Sequence, residues 1–379
     1  MSVPLTWERA PSDVCAAALA NLSQCWPGRL LALVRAWSPH EAVRVLFNER
    51  KDAKVREALG LDIGNLPAAW RRELKALDPA AIAARLFAEG VDVWTYGTAS
   101  YPELLADDIR PPGVLFVRCE GYGVAALTNR RVAIVGTRRC TAYGRNVATQ
   151  LGRDLSDAGV SVVSGLAVGI DGAAHEGALE GATPPIGVVG SGLDVVYPRR
   201  HSALWRSVGQ RGMLLAEAPL GARPDPWRFP ARNRIIAGLA ELLVVVESAH
   251  AGGSQITVDA AAARGVDVMA VPGPVGSAAS AGTNQLLVDG AAPVLGADEV
   301  LVALGMSTAK RSAVTSMRLF EPLSREATKV LALLDFVPTP TERIVNAAGL
   351  TTGRVMCALE ELAAAKQAAG GGGWWSRVP

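Results

Sequence analysis

The 379-residue sequence predicts an α/β protein built on a doubly wound, mainly parallel sheet. Short uninterrupted apolar runs, such as those at 132–135 and 242–246, alternate with longer segments of helical periodicity between residues 90 and 305. Strands covered on both faces of a parallel sheet need such runs. Several of the helical segments end at a glycine, which commonly follows a helix. The chain on either side has a different pattern, which predicts a small helical domain before the sheet and a winged-helix-like domain after it.

Composition is that of a globular protein with two or three domains. Hydrophobic residues make up 50% of the chain and charged residues 20%, so the chain is not of the disordered class. A formal net charge of +2 excludes a uniformly basic nucleic-acid binder but permits a local basic patch. No run approaches the roughly 18 apolar residues of a membrane span, and the first residues lack the order of a signal peptide. We therefore expect a cytoplasmic protein with no membrane partner.

The cysteines and histidines do not suggest a metal or disulfide site. The five cysteines are scattered without a C-x-x-C pair, and there are only four histidines. Neither a disulfide framework nor a metal site is predicted, and no cofactor is expected. Cys140 stands near arginines, which lower a thiol pKa, but no sequence neighbour would serve as its general base. A catalytic thiol is therefore not predicted.

Residues 1–85 are predicted to form the small helical domain. Apolar-periodic segments separated by Pro, Gly or Asn occur at 14–22, 30–36, 40–47, 55–59 and 68–77. Such a bundle either binds a ligand or simply protects the terminus. We assign no chemistry to these helices.

The sheet domain is predicted over residues 90–305. Two strands at 91–96 and 114–118 precede the regular alternation of strands and helices. The further strands are predicted at 132–136, 160–164, 186–190, 213–217, 242–247, 266–271 and 293–295.

A polar linker at 306–319 leads to the tail, residues 320–379. The tail has predicted helices at 324–334, 341–348 and 352–365, and a short hairpin follows them. Three helices with a tight turn before the last are typical of a winged helix-turn-helix. The alternative is a small helical appendage.

Candidate binding residues follow the predicted strands where each one ends. Ligands of open α/β sheets bind outside the carboxyl ends of the strands, where backbone N–H groups at helix starts attract anions. Arginines follow three strands, and aromatic residues are interleaved with arginines in the predicted loop at 223–234. The candidates are Gly136, Thr137, Arg138 and Arg139 after the first parallel strand; Ser164 and Gly165 after the second; Gly190, Ser191, Gly192, Arg199 and Arg200 after the third; Arg223, Arg228, Phe229, Arg232, Asn233 and Arg234 after the fourth; and Gly253 and Ser254 after the fifth.

These residue types favour a phosphate-bearing ligand. Arginines neutralise phosphates, and aromatic faces stack on unpaired bases, a combination expected for single-stranded nucleic acid. The alternative is that these residues bind no ligand, the arginines being solvated and the aromatic rings packing the loop onto the sheet. On this basis nucleic acid and a mononucleotide are equally supported as ligands. A dinucleotide cofactor is not predicted, because Gly136 and Gly144 give G-x₇-G in place of G-x-G-x-x-G.

Six segments occur in order between residues 90 and 295: AIVGTRRCTAYG, SGLAVGIDGAAH, GSGLDVVYPRRH, FPARNRIIAGL, VVVES with GGSQITVDAAAARG, and VMAVPGP with GTNQLLVDGA. Together they resemble the DNA-processing protein A family, DprA or Smf. The resemblance implies an extended Rossmann-like domain that binds single-stranded DNA and forms a homodimer. It also implies that the protein protects incoming strands and helps to load the RecA recombinase during natural transformation (competence). The helical first domain, SAM-like or helix-hairpin-like, and the winged-helix-like tail resemble the accessory domains of many members.

The resemblance also implies roles for individual arginines. Arg138 matches the family's DNA-contacting arginine in the first loop, and Arg199 or Arg200 matches a basic residue after Y-P. Arg232 and Arg234 would either line the same groove or hold the loop by hydrogen bonds to backbone carbonyls. Both alternatives stay open from sequence.

Some features suggest catalysis instead. Asp171 and His175 look like a catalytic pair, but the family attributes no hydrolysis to them, and we expect a structural hydrogen bond. Val168 stands where members often have a basic or other polar residue, so no phosphate contact is expected there. The alternative function is a nucleotide-binding or nucleotide-cleaving enzyme similar to the phosphoribohydrolases. The comparable segment, 251–257, has Thr257 where the catalytic glutamate is expected.

Overall fold

The computed structural model describes residues 6–60, 64–120, 125–250, 252–306, 323–365 and 367–378. Six short helices come first: α1 Ser12–Ala20, α2 Pro27–Ala36, α3 Pro39–Phe47, α4 Asp52–Leu59, α5 Leu66–Ala76 and α6 Pro79–Ala88. The start of α3 is set by Ser38, whose hydroxyl accepts the Glu41 N–H while the Glu41 carboxylate accepts the Ser38 N–H. Helix α6 was not predicted, because its alanine-rich sequence has little contrast between apolar and polar positions.

The main sheet has nine strands among the described residues. They are β1 Asp92–Thr95, β2 Val114–Cys119, β3 Arg130–Val135, β4 Val160–Ser164, β5 Ile186–Val189, β6 Met213–Ala216, β7 Leu242–Val245, β8 Asp267–Ala270 and β9 Ala292–Pro293. Their order is β1-β2-β6-β5-β4-β3-β7-β8-β9, and the pairings from β6 to β9 are all parallel. The antiparallel pairings in this sheet are those of β1 with β2 and of β2 with β6. The predicted doubly wound, mainly parallel sheet is therefore confirmed.

The strand order identifies where a ligand crevice is expected. From β3 the sheet grows in one direction through β4, β5 and β6, and in the other through β7 and β8. The loops that follow β3 and β7 therefore leave the sheet to opposite sides. Such a topological switch point opens a crevice outside the carboxyl ends of the two strands.

Helices cover both faces of the parallel strands. They are α7 Glu103–Ala106, α8 Ala125–Thr128, α9 Ala142–Asp157, α10 Ile170–Glu180, α11 Ser202–Arg211, α12 Arg228–Leu239, α13 Gln255–Ala262, α14 Ala281–Val288 and α15 Ala297–Ala303. Leu151 of α9 and Ala174 of α10 pack on one face with Ile134, while Ile236 of α12 packs on the other with Val135. The strands are consequently buried on both sides, as their uninterrupted apolar sequences require.

The predicted loop at 223–234 is wrong in its second half, because α12 begins at Arg228. Pro230 stands at the third position of this helix. The first four N–H groups of a helix have no partner within it, so proline is tolerated there. The F-P pair therefore marks a helix start and not a continuing loop.

The first helices pack onto the antiparallel end of the sheet. Leu19 of α1 and Leu33 of α2 belong to the same buried apolar cluster as Val93, Phe116 and Val189 of the strands. The division of the chain near residue 85 stays a prediction. The shared cluster shows that these helices contact the sheet directly.

The tail forms a separate small core. It consists of α16 Arg325–Leu331, α17 Thr341–Ala348 and α18 Thr352–Ala364, with a sheet of β10 Thr339–Pro340, β11 Ala368–Gly371 and β12 Trp374–Arg377 in the order β10-β12-β11. Ile344 and Leu359 are buried at its centre. The predicted linker at 306–319, apart from Met306, lies outside the described residues. None of the helices in the described part of the chain combines the length and apolarity needed to cross a bilayer.

Candidate nucleic-acid interface

A pocket of about 440 Å³ opens at the switch point between β3 and β7. Its walls come from the loop after β3, the start of α12 and the loop after β7. Of the predicted site residues, the pocket is lined by Gly136, Thr137, Arg138, Arg139, Phe229, Arg232, Asn233, Gly253 and Ser254. The structure thus brings together residues from three of the five predicted groups.

The loop after β3 is held in place by the buried carboxylate of Glu247, at the end of the β7 segment. This carboxylate accepts the Thr141 N–H at 2.9 Å and the Thr141 hydroxyl at 2.5 Å. The backbone carbonyl of Glu247 accepts the Thr137 N–H at 2.7 Å. Gly144 packs against the same carboxylate so closely that a Cβ would not fit. No role was predicted for Glu247, although the VVVES segment carries a signal for one, namely a carboxylate directly after a buried strand.

Arg138 is exposed and lies over an aromatic ring. Its Cζ is 5.3 Å from the centroid of the Phe229 ring, within the range of a cation–π interaction. The Phe229 ring in turn lies 5.4 Å from the ring of Tyr197, whose side chain is 42% exposed. A guanidinium and two rings therefore stand side by side along the carboxyl edge. Tyr197 was not among the predicted site residues, and the Y-P motif before Arg199 was its signal.

Arg232 has a different environment from Arg138, since it is only 5% exposed. Its Nη1 donates to the carbonyl oxygens of Gly165, at 2.7 Å, and Val188. Burial lowers the pKa of Arg232 to about 10, which leaves the side chain charged at neutral pH, and the Asp171 carboxylate opposes this shift. Of the two alternatives left open by the sequence, the geometry supports the one in which Arg232 holds backbone carbonyls.

Asp171 completes this buried cluster. Its carboxylate faces Arg232 and the backbone N–H groups of Ala167 and Gly165. Burial raises the pKa of Asp171, while Arg232 and the two N–H groups act against that rise.

Several other predicted residues have their polar groups occupied within the protein. Arg234 Nη2 donates to both carboxylate oxygens of Glu217, at 2.6 and 2.7 Å, whereas its buried Nη1 has no hydrogen-bond partner among the described residues. Burial raises the pKa of Glu217 against the effect of Arg234. The remaining bonds run from the Ser164 hydroxyl to the Ile134 carbonyl at 2.6 Å, from the Ser191 hydroxyl to the Val195 carbonyl at 2.7 Å, from the Gly192 N–H to the Ala222 carbonyl at 2.9 Å, and from the Ser254 hydroxyl to Ser248 Oγ at 2.7 Å. These groups build the edge of the sheet.

Most of the other predicted residues are exposed or partly exposed, whereas Gly190 is buried. Exposed side chains are those of Arg139, Arg199, Arg200 and Arg223, and Gly253 has open space beside its Cα. Gly190 lines a small cavity together with Arg138 and Phe229. Arg228 is half-buried, with its Cζ 4.7 Å from the Trp227 ring centroid. Asn233 Oδ1 accepts from Arg232 Nε at 3.1 Å. DNA contact by any of these residues stays a prediction.

His175 and Asp171 do not form a catalytic pair. The two ring nitrogens of His175 each lie 3.1 Å from a backbone carbonyl oxygen, those of Asp171 and Ile186. Burial lowers the pKa of His175 to about 4, so the imidazole is neutral at pH 7. Burial also raises the pKa of the Cys140 thiol, which disfavours the reactive thiolate.

The buried histidine makes stability depend on pH. Unfolded histidine binds a proton below about pH 6.5, whereas folded His175 resists protonation until about pH 4. Its stabilising contribution is full above pH 6.5 and is lost as pH falls towards 4, by about 3 kcal/mol. We expect His175→Gln to remove this part of the decline in the free energy of unfolding, measured by urea titration at several pH values. His250→Gln, at an exposed histidine, is the control. Identical pH profiles for the His175→Gln and unchanged proteins would contradict this account.

Comparison with known proteins agrees with the sequence and the geometry. The family model for DNA recombination-mediator protein A matches residues 92–305. A Mycobacterium tuberculosis relative named putative DNA processing protein DprA is 37% identical over 296 residues, with 76% of this chain and 74% of that protein covered. Protein Smf of Escherichia coli is 35% identical, with 70% of this chain and 71% of that protein covered.

Two solved structures are similar as well. DNA processing protein A from Streptococcus pneumoniae superposes with a TM-score of 0.65 at 28% identity, over 79% of this chain and 98% of that chain. The Helicobacter pylori protein, whose structure was reported for its single-stranded DNA binding mode, gives a TM-score of 0.51 at 27% identity, over 56% of this chain and 95% of that chain. The resemblance seen in the six sequence segments is therefore confirmed, and the chain belongs to the DNA-processing protein A family.

Proposed function

We propose that the chain binds single-stranded DNA along the carboxyl edge of its sheet and acts as a recombination mediator and not as an enzyme. The observation that carries this proposal is the exposed Arg138 guanidinium beside the Phe229 ring, at the switch-point pocket. The cation can neutralise a phosphate, and the aromatic face beside it offers a stacking surface to a base. Bases of a duplex are already paired and stacked, so duplex DNA should bind more weakly.

The family supplies the finer parts of the proposal. The Helicobacter pylori relative has a single-stranded DNA binding mode, and other relatives bear the name DNA processing protein. By analogy, the chain would protect incoming single strands during natural transformation and help to load RecA on them. These steps are functions of a DNA-binding surface and need no reacting group in the protein.

The groups that resemble catalytic residues are already engaged, which supports a mediator. Asp171 faces Arg232 and two N–H groups, and His175 lies between two carbonyl oxygens with its pKa lowered by burial. Neither side chain is free to act as a general acid or base near neutral pH. The enzymatic alternative has no comparable observation in its favour.

We also propose that two copies associate through the β8–β9 end of the sheet. Val288 of α14 is 80% exposed, and Leu295, which follows β9, is 77% exposed. Helix α14 contacts β8, next to the short edge strand β9. Exposed apolar side chains near an open sheet edge are typical of a surface that a partner covers.

A salt-titrated binding assay tests the proposed function. Oligo-dT, duplex DNA of equal length and free nucleotides are compared on one preparation by fluorescence anisotropy. We expect oligo-dT to bind tightest, with log K falling against log salt by about 0.7 for each phosphate contacted. Tighter binding of free nucleotides, or an oligo-dT affinity independent of salt, would refute the proposal.

A further inference from the structure

A second cavity, of about 500 Å³, lies where the first helices meet the carboxyl edge of the sheet. We call it the aromatic pocket. One wall is the turn at 21–27, between α1 and α2. The opposite wall is the segment at 217–222, which follows β6, together with Trp227 and Arg228 at the start of α12. The pocket is thus built jointly by the helical region and the sheet.

Two tryptophans from these walls meet in the pocket. The rings of Trp26 and Trp227 lie edge to face, with centroids 5.3 Å apart and an interplanar angle of 78°. Arg228 lies over the Trp227 ring at 4.7 Å. Trp26 nevertheless remains 48% exposed. A large indole surface is therefore available to a flat ligand at the mouth of the pocket.

The charges around the aromatic pocket are balanced, unlike those of the switch-point pocket. Arg85 pairs with Asp194 at 2.6 Å, and Glu217 pairs with Arg234. Arg228 interacts electrostatically with Asp225 and Glu217. Much of the positive charge that lines the pocket is therefore neutralised within the protein, so phosphate is attracted less strongly here than at the exposed Arg138, whereas a neutral aromatic ring needs no free cation. The pocket therefore suits a nucleobase better than a phosphate.

The two pockets are neighbours along the edge of the sheet. A cavity of about 50 Å³ lies between them. It shares Arg138 and Phe229 with the switch-point pocket, and Gly190 and Val189 with the aromatic pocket. The three cavities therefore follow one another along the edge of the sheet, from Arg138 towards Trp26.

We propose that the aromatic pocket receives an unpaired base of the same DNA strand, stacked on Trp26. This proposal rests on the proposed function, because it places a base on a strand bound at Arg138. It gives the helical region a direct part in DNA binding, through a residue outside the six family segments.

Replacing Trp26 tests this proposal. We expect Trp26→Ala to lower the affinity for oligo-dT about tenfold, the loss typical of one stacked base. The salt slope should not change, because no phosphate contact is lost. Trp26→Phe, which keeps a stacking ring, should retain most of the affinity. Phe87→Ala is the matched control, since Phe87 is a 90% exposed aromatic residue on α6 and should have no effect.

A strand without bases distinguishes stacking from a purely structural effect. On an abasic deoxyribose-phosphate oligomer, Trp26→Ala and the unchanged protein should bind equally. An equal loss on oligo-dT and the abasic strand would overturn the proposal, as would full oligo-dT affinity in a Trp26→Ala protein of unchanged thermal stability. Either result leaves the proposed function intact if Arg138→Ala still weakens binding. Failure of the unchanged protein to bind oligo-dT would overturn both.

Discussion

Replacing Arg138 with alanine is expected to weaken oligo-dT binding by about ten- to a hundredfold, because a charge-assisted contact with phosphate is lost. The slope of log K against log salt should become shallower by about 0.7, corresponding to one phosphate contact. Fluorescence anisotropy over a range of salt concentrations measures both changes. The fold should be unaffected, since Arg138 is exposed and its loop is anchored through Thr137 and Thr141 to Glu247.

The matched control for Arg138 is Arg153→Ala. Arg153 lies in the last turns of α9, towards the amino edge of the sheet, and interacts with Glu180 at 3.7 Å. Its removal takes away the same charge from a different surface. We expect little change in affinity or salt slope. Equal losses for both variants would mean that general attraction, and not a contact at Arg138, accounts for binding.

Replacing Arg232 should lower the free energy of unfolding much more than replacing any exposed arginine would. Arg232→Met leaves the buried Asp171 carboxylate without its cation and two carbonyl groups without a donor. We expect the free energy of unfolding to fall by about 3–5 kcal/mol, as measured by urea titration. Arg200→Met, at an exposed arginine, should change it by no more than about 0.5 kcal/mol.

A double variant shows whether the buried charge is the cause. Arg232→Met combined with Asp171→Asn removes the unpaired carboxylate, so part of the lost stability should return. If Arg232→Met is instead as stable as the unchanged protein but binds oligo-dT weakly, Arg232 is a DNA ligand and the structural role is wrong.

The sheet was predictable because its signals are local. Apolar runs such as VAIV and LLVVV identify buried strands without knowledge of their neighbours. The carboxyl ends of parallel strands also meet at one edge of a sheet, and on this ground Arg138 and Phe229 were predicted to lie at the same edge. The start of α12 was missed, because a proline near it has the same appearance in a loop and in a first helical turn.

The environments of the arginines were not predictable in the same way. Arg232 and Arg234 lie close together in one motif, just as the exposed Arg138 and Arg139 do in another. Whether each side chain is buried depends on carboxylates contributed by other segments, Asp171 for one and Glu217 for the other. The contact of Trp26 with Trp227 joins distant parts of the chain, and no periodicity of either segment indicates it.

The carboxylate of Glu247 has a consequence for the thermodynamics of ligand binding. Glu247 belongs to one half of the doubly wound sheet. Thr141, whose N–H and hydroxyl donate hydrogen bonds to its carboxylate, belongs to the other half. The loop that presents Arg138 is consequently preorganised before any ligand arrives. Little conformational entropy should be lost when a strand docks, so the free energy of each contact is retained as affinity.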